Sequence, residues 1–273
     1  MKNMEIKKMQ TKILPEVENI ILVASGKGGV GKSTVAVNLA VAFMREGYAT
    51  GILDADLYGP SVPMALGLED ARPRVWKENG KDLMEPVEKF GIKVMSLGFL
   101  MQKQDAVIWR GPLASKALTQ LIENTRWGKL DYLVIDLPPG TGDISITLSQ
   151  KFPGARAIIV VTPQQMAIAD GRKAAHMFVA NGVDIPVAGI VENMAWFVPE
   201  KHPDEKYFLF GRGGGEQLAN EYGVPLLSQL PLVADVCELS DQGKNIFNSG
   251  NAILIKAFEE LAQKIDQVKE VPA

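Results

Sequence analysis

Short apolar, β-branched runs alternate with segments of helical periodicity along most of the chain, and this alternation constrains the fold more than any other feature. The runs are too uniformly apolar for strands with one face in water, so they predict a parallel sheet covered by helices on both faces. The predicted strands are residues 20–24, 51–53, 93–97, 132–135, 157–161, 187–191 and 226–230. The predicted helices are residues 32–45, 113–124, 143–151, 167–180, 215–221 and 252–268. This order is typical of a doubly wound α/β fold with a mostly parallel sheet.

Composition bounds the domain organisation and the environment of the protein. The 273 residues contain no Pro-, Ser- or Gly-rich linker, so we predict a single domain over residues 16–273 after a flexible N-terminal segment, residues 1–15. The net charge of −3 argues against an overall electrostatic attachment to nucleic acid. No apolar run approaches the roughly 18 residues that a membrane span needs. Cys237 is the only cysteine, which excludes an intrachain disulfide and favours the reducing cytoplasm. We therefore expect a cytoplasmic protein that binds neither nucleic acid nor membrane.

A glycine-rich loop follows the first predicted strand. It reads Gly26-Lys27-Gly28-Gly29-Val30-Gly31-Lys32-Ser33-Thr34. This segment satisfies both the GxGxxG pattern of dinucleotide sites and the GxxxxGK[ST] pattern of the P-loop. Lys32 and Ser33 favour the P-loop, because triphosphate chemistry needs a cation near the β and γ oxygens and a hydroxyl on Mg²⁺. Glycines let backbone N–H groups turn toward the phosphates, and the following helix adds the positive end of its dipole. The whole loop is therefore predicted to contact a nucleotide.

Three aspartates lie directly after two of the predicted strands. We assign Asp56 to orienting the attacking water or accepting its proton, and Asp54 to the water shell of Mg²⁺. A dinucleotide site would instead place Asp54 on a ribose hydroxyl. Asp136 decides between the two, because an aspartate after an apolar strand is the Walker B arrangement of an outer-shell Mg²⁺ ligand. We expect one site where four loops converge, those that start near Ser25, Asp54, Asp136 and Asn193.

The segment KGGVGKST, from Lys27 to Thr34, resembles the deviant Walker A loop of the class that contains MinD, ParA, the nitrogenase iron protein and Mrp. The resemblance therefore implies a P-loop NTPase of the deviant Walker A, SIMIBI-like type. In that class the signature lysine, which matches Lys27, reaches the phosphates of the partner subunit in a nucleotide-sandwich dimer. The resemblance therefore implies ATP as the ligand, a homodimer, and a catalytic role for Lys27 beside Lys32 and Asp56. Taken alone, Lys27 could be a solvated surface charge.

Further segments narrow the resemblance to the Mrp/ApbC family, cytosolic ATPases that are regarded as iron-sulfur cluster carriers. They are DADLYGPS (54–61), WRGP (109–112), DLPPGTGD (136–143), TPQQMAIADGRKAAHMF (162–178), ENM (192–194) and FGRGGG (210–215). The likeness spans residues 14–247. It implies that Asn193 reads the adenine edge, for which an amide offers both a donor and an acceptor. It also implies that the loop from Pro231 to Asp235 closes over the base. Without the family, Asn193 could be a turn residue.

One segment departs from this family. Between ENM and FGRGGG the family usually carries a CxxC motif, whose thiolates from two subunits hold a bridging four-iron cluster. Residues 195–207 contain no cysteine, so these ligands have no counterpart here. Cys237 is the only candidate thiolate, and its alternative role is that of a small core residue. The segment also carries aromatic residues that either bind a partner or are buried beneath the last helix; they are Trp196, Phe197, Tyr207 and Phe208.

These features predict a Mg²⁺-dependent homodimeric ATPase that carries or helps to assemble iron-sulfur clusters and transfers them to apoproteins. The nucleotide chemistry follows from the residues, whereas the cluster and the apoprotein clients are implied by the resemblance. Two alternatives stay open. An ATPase scaffold or chaperone without a cluster would explain the missing CxxC motif. A ParA/MinD-like positioning ATPase would bind DNA or membrane, against which the net charge of −3 argues.

Overall fold

The computed structural model describes residues 14–56, 59–100, 111–180, 182–199, 202 and 205–268. The strands in these ranges are β1 Val17–Ala24, β2 Thr50–Asp54, β3 Arg74–Glu78, β4 Lys81–Glu85, β5 Val87–Lys89, β6 Ile92–Ser96, β7 Leu130–Asp136, β8 Arg156–Val161, β9 Val187–Glu192 and β10 Leu226–Gln229. The helices are α1 Lys32–Arg45, α2 Val62–Ala65, α3 Gly111–Asn124, α4 Asp143–Lys151, α5 Gln165–Val179, α6 Gly214–Tyr222, α7 Ala234–Asp241 and α8 Ala252–Gln267. All the predicted strands and helices are present, with ends that shift by at most three residues.

A single large sheet forms the centre of the described part of the chain. Its eight strands follow the order β10-β9-β8-β1-β7-β2-β6-β5. All neighbours in it are parallel except β5 and β6, which pair antiparallel at one edge. The chain therefore winds outward from β1 in both directions, which confirms the doubly wound, mostly parallel fold. Parallel pairing brings the carboxyl ends of β1, β2, β7, β8 and β9 to the same edge, where ligands bind in such folds.

Helices on both faces of the sheet explain why its strands are uniformly apolar. On one face α1 packs against β1, β2 and β7 and also contacts α2 and α8, whereas α5 packs against β8 and contacts α4 and α6. Most strand side chains between these layers are buried, and Ile21, Leu22 and Val23 of β1 are fully buried. Each 100 Å² of apolar surface removed from water in this way contributes about 2.5 kcal/mol.

The last helix packs its apolar stripe against its own domain. The buried positions of α8 recur every three or four residues; they are Leu254, Phe258, Leu261, Ala262 and Ile265. At its first turn the Asn251 side chain accepts a hydrogen bond from the backbone N of Leu254 at 3.1 Å. At its last turn Arg156 donates to the carbonyl oxygen of Ile265 at 3.0 Å. The first contact caps the helix, and the second attaches its last turn to β8.

The structure also contains elements that the periodicity does not predict. β3 and β4 form a separate antiparallel hairpin whose residues are mostly exposed on both faces, so its sequence shows no alternation of apolar and polar residues. α7 is a helix of eight residues without a side-chain cap, so neither length nor capping marks it in the sequence.

The packed chain begins before the predicted start of the domain. Leu14 is only 8% exposed and belongs to the apolar core. Residues 1–13 lie outside the described ranges. The extent of the single domain and of its flexible N-terminal segment stays a prediction.

Candidate nucleotide-binding site

The glycine-rich loop joins the end of β1 to the start of α1, near the middle of the sheet edge. Gly29 and Gly31 both have a φ of 80°, in the left-handed region that side chains disfavour. A Cβ at Gly26 would lie 1.9 Å from the carbonyl oxygen of Asp170 on α5, and one at Gly31 would lie 2.2 Å from Asn193 Nδ2. Backbone conformation and close packing therefore require glycine here, as in a loop whose N–H groups face phosphates.

Lys32 places a buried positive charge at the start of α1. Its side chain is 6% exposed, and its Nζ donates to Asp136 Oδ1 at 2.6 Å. The same Nζ lies 3.9 Å from Asp56 Oδ2 and 3.4 Å from Ser33 Oγ. Burial raises the pKa of the Asp136 carboxyl, while Lys32 and Ser33 act to lower it. The structure thus brings together the P-loop cation, the P-loop hydroxyl, the Walker B aspartate and the aspartate assigned to the attacking water.

Asp54 is fully buried, and both of its carboxylate oxygens accept hydrogen bonds from the protein. Oδ1 accepts from the backbone N of Asp56 at 3.0 Å. Oδ2 accepts from the backbone N of Val62 at 3.2 Å and from Ser96 Oγ at 3.0 Å. Burial, followed by the nearby charge of Asp136, raises the pKa of Asp54 to about 8. These contacts hold the loop after β2. The place of Asp54 in the water shell of Mg²⁺ stays a prediction.

A cleft of about 260 Å³ opens at this loop. Six side chains of the predicted site or its neighbourhood line it, namely Lys27, Lys32, Ser33, Thr34, Asp56 and Ser61. The volume lies just below the roughly 300–1,000 Å³ of typical ligand pockets, so it suits the phosphate end of a nucleotide. Lys27 is only partly exposed, which distinguishes it from a fully solvated surface lysine.

The donor set beside this cleft fits a divalent cation. Asp136 Oδ2 is buried and has no hydrogen-bond partner among the described residues. A buried carboxylate oxygen without a partner is costly, and a cation or its bound water would supply the missing interaction. Ser33 supplies a hydroxyl oxygen in the same place, and Mg²⁺ prefers oxygen ligands. Ser33 and Asp136 are therefore suited to hold Mg²⁺ as the sequence predicts.

Asn193 contacts the P-loop itself, which the sequence reasoning misses. Its Nδ2 donates to the carbonyl oxygen of Val30 at 2.8 Å, and its backbone N donates to the carbonyl oxygen of Val161 at 2.8 Å. The side chain thereby fastens the P-loop to the ends of β8 and β9. The adenine contact stays a prediction, which would use the remaining N–H and the amide oxygen. Pro231 is buried after β10. The side chains of Asp235 and Cys237 lie outside the described part of the structure.

The segment in place of the CxxC motif closes into a short antiparallel bridge. Phe197 and Tyr207 exchange two backbone hydrogen bonds, at 2.8 and 2.9 Å. The Lys206 ammonium lies 4.3 Å from the centre of the Trp196 ring. Tyr207 is 47% exposed, so the alternative of burial beneath the last helix is wrong for this residue. Among the described side chains no cluster of three or more His, Cys, Asp and Glu residues is suited to hold a metal ion.

Two buried polar residues beside the site are also absent from the sequence-based predictions. Glu192, which ends β9 and is 1% exposed, accepts from the backbone N of Gly215 at 2.8 Å and from Gln229 Nε2 at 2.6 Å. Ser96, which ends β6, is fully buried. The sequence does carry a signal for both residues, namely a polar residue at the end of an apolar strand. Such a residue indicates a hydrogen-bonded side chain, because polar side chains are rarely buried without a partner.

A phosphate-binding loop at the switch point of a doubly wound sheet, with its lysine on a strand-end aspartate, is the arrangement of P-loop NTPases. The family model described as "NUBPL iron-transfer P-loop NTPase", within the ParA group, matches residues 16–266. The chain belongs to this family.

Similar proteins from three organisms cover most of the chain. The chain is 48% identical over 261 residues to an iron-sulfur cluster carrier protein of Aquifex aeolicus, and the match covers 95% of this chain and 70% of that protein. It is 49% identical over 251 residues to one of Pseudomonas fragi, covering 91% and 85%. An Arabidopsis thaliana protein named "Iron-sulfur protein required for NADH dehydrogenase, mitochondrial" is 44% identical over 251 residues, covering 91% and 78%.

Solved structures agree with this fold. A nucleotide-binding protein of Archaeoglobus fulgidus in complex with ADP superposes with a TM-score of 0.73 at 40% identity, covering 85% of this chain and 90% of that chain. The cell division ATPase MinD of Pyrococcus furiosus superposes with a TM-score of 0.61 at 21% identity, covering 92% and 99%. In the described ranges none of the helices combines the length and the apolar composition needed to cross a membrane.

Proposed function

We propose that this protein is a Mg²⁺-dependent ATPase that works as a homodimer in the handling of iron-sulfur clusters and passes clusters to apoproteins. The observation that carries the ATPase proposal is the position of Lys32 Nζ, 2.6 Å from Asp136 and 3.9 Å from Asp56, beside a cleft that Lys27 also lines. The names of the relatives support the cluster role. A place in the reducing cytosol stays a prediction.

Each residue of the site has a separate task in this proposal. Lys32 leaves Asp136 to offset the charge of the β and γ phosphates, and the backbone N–H groups of the glycine loop surround them. Asp56 orients the attacking water and accepts its proton. Ser33 and Asp136 would hold Mg²⁺, with Asp54 in its proposed water shell. When bound, Mg²⁺ would help to neutralise the negative charge that develops on the phosphates.

Lys27 supplies the test of the homodimer. We expect Lys27→Ala to bind ATP nearly as the parent does, because Lys32 and the loop backbone remain in place. It should fail to form the nucleotide-dependent dimer and should hydrolyse ATP at least about 100-fold more slowly, the scale of losing one positioned cationic group at a transferring phosphoryl group. Sedimentation with a non-hydrolysable ATP analogue and a steady-state ATPase assay measure the two properties.

Lys256→Ala is the matched control for that experiment. Lys256 lies on α8 and its side chain is 75% exposed, so its removal also deletes one cation but leaves the loop intact. It should dimerise and hydrolyse ATP like the parent. If Lys27→Ala does the same, Lys27 is a surface charge and the proposed dimer has lost its basis.

The proposed cluster is cargo, and this chain lacks the family's usual thiolates for it. Thiolate is the normal ligand of such clusters, and the segment 195–207 contains none. Two copies of Cys237 would supply two of the four ligands that a four-iron cluster needs. Non-thiolate or exogenous ligands would have to complete the set, so we propose that any cluster on this protein is labile.

Anaerobic reconstitution of the parent and of Cys237→Ser tests this cargo role. We expect visible absorbance, iron and acid-labile sulfide in the parent that are lost quickly on gel filtration, and none in Cys237→Ser. A cluster of equal stability in both proteins would show that other residues bind it. Absence of iron from both would favour an ATPase scaffold without a cluster over a carrier.

A further inference from the structure

The carboxylate of Asp54 joins the two ends of the loop that carries Asp56. Oδ1 accepts from the backbone N of Asp56, and Oδ2 accepts from the backbone N of Val62, the first residue of α2. Asp56 Oδ1 in turn accepts from the backbone N of Gly59 at 3.3 Å. The position of the Asp56 side chain therefore depends on the orientation of a neighbouring carboxylate that does not itself line the cleft.

Ser96 fixes that orientation from the next strand. Asp54 and Ser96 are paired positions at the ends of β2 and β6. The Ser96 hydroxyl donates to Asp54 Oδ2 at 3.0 Å and accepts from the backbone N of Gly98 at 2.9 Å. Ser96 is fully buried, so loss of its hydroxyl would leave Asp54 Oδ2 with one hydrogen bond fewer in the interior. The hydroxyl is the only side-chain donor that Asp54 has among the described hydrogen bonds.

The turn after Ser96 packs against the same loop. A Cβ at Gly98 would lie 3.1 Å from Pro60 Cβ and 3.2 Å from Ser96 Oγ. The end of β6 therefore contacts the loop after β2 through one hydrogen bond and through van der Waals packing, and both contacts lie within a few residues of Asp56. A chain of two hydrogen bonds connects Ser96 to Asp56, from the Ser96 hydroxyl to Asp54 and from the Asp56 backbone N to Asp54.

We propose that Ser96 is a positioning residue for ATP hydrolysis, whose hydroxyl orients Asp54 so that Asp54 holds Asp56 against the cleft. This inference rests on the proposed ATPase function. Ser96 touches neither phosphate nor water in this scheme, so it affects the chemical step and leaves nucleotide binding to the P-loop. A displacement of about 1 Å in a reacting group is enough to slow a reaction about 100-fold, so we expect Ser96→Ala to lower kcat at least about tenfold.

Ser96→Ala and Ser149→Ala form a matched pair for the test. The Ser149 hydroxyl is also buried, at 1% exposure, and donates to the carbonyl oxygen of Ser145 at 2.7 Å in α4. Each substitution deletes one buried hydroxyl and its hydrogen bond. We expect Ser149→Ala to keep the parent kcat, and Ser96→Ala to lose kcat while its Kd for ATP stays within about twofold of the parent. The thermal midpoints of both variants show how much each hydroxyl stabilises the fold.

A double-mutant cycle with Asp54→Asn identifies the route of the effect. If Ser96 acts through Asp54, Ser96→Ala should lower kcat far less in the Asp54→Asn background than in the parent. A parent without ATPase activity would overturn the proposed function itself. An active parent whose kcat is unchanged by Ser96→Ala overturns only the role of Ser96. The role of Ser96 is also overturned if the two serine variants lose kcat equally, or if the loss persists in the Asp54→Asn background.

Discussion

Replacing Lys32 by alanine should abolish measurable ATP binding. Its Nζ is the buried cation at the P-loop, and the charge-assisted hydrogen bonds that it would make to the β and γ phosphates are each worth about 1.5–3 kcal/mol. Two such bonds correspond to a loss of affinity of at least about 100-fold. Fluorescence titration with a labelled ATP analogue in the presence of Mg²⁺ measures this change.

Lys27→Ala is the matched control for binding, because it removes a cation from the same loop yet should keep ATP affinity. Stability needs a separate control. Lys32→Ala leaves the Asp136 carboxylate buried without its cation, and breaking such a pair costs about 3–5 kcal/mol. The double variant Lys32→Ala, Asp136→Asn removes that unpaired charge and should recover much of the thermal midpoint without recovering ATP binding. Parent-like affinity in Lys32→Ala would refute the P-loop assignment.

Asp56→Ala should keep ATP bound and slow hydrolysis by about 10²- to 10⁴-fold, the range for loss of a positioned general base. Asp56 lies 3.9 Å from Lys32 Nζ and lines the cleft, so we expect its carboxylate to lie close to the γ-phosphate of bound ATP. Because the bound nucleotide is no longer turned over, the variant should accumulate as an ATP-bound dimer. Single-turnover hydrolysis and sedimentation in the presence of ATP and Mg²⁺ test both expectations.

Asp131→Ala is the control for the loss of an aspartate. Asp131 lies at the start of β7, at the opposite edge of the sheet, where its Oδ2 accepts from the backbone N of Ala49 at 2.7 Å. This variant should lose some stability and keep its turnover once folded. If Asp56→Ala hydrolyses ATP like the parent, the water-orienting role belongs to another group, and Asp54 is the next candidate.

The parallel core of this fold is predictable because its strands are buried on both faces and leave an unmistakable apolar pattern. The β3–β4 hairpin is not, since exposure on both faces removes the period of two that marks a half-buried strand. The antiparallel edge strand β5 is only three residues long, too short for any pattern. Local sequence therefore predicts those elements whose environment is uniform along their length.

The same distinction separates the predictable and the unpredictable parts of the site. The P-loop residues follow one another in the chain, so their spacing alone predicts their chemistry. The contact of Asn193 with Val30 joins residues 163 positions apart, and that of Ser96 with Asp54 joins residues 42 positions apart. Such contacts depend on which strands become neighbours, and no local pattern specifies that order.

The central place of β1 in the sheet also has a consequence for the synthesis of the protein. β1 is the first strand of the described residues, yet its neighbours are β7 and β8, so that Val17 pairs with Leu130 and Ile21 with Arg156. At a translation rate of about 5–20 residues per second, the nascent chain waits at least about 5 s before either neighbour exists. During that time β1 is an apolar segment without either of its partner strands, and such unpaired segments are prone to aggregate. We therefore expect β1 to depend on protection from aggregation, by a chaperone or by the ribosome surface, until residues 130–161 have emerged.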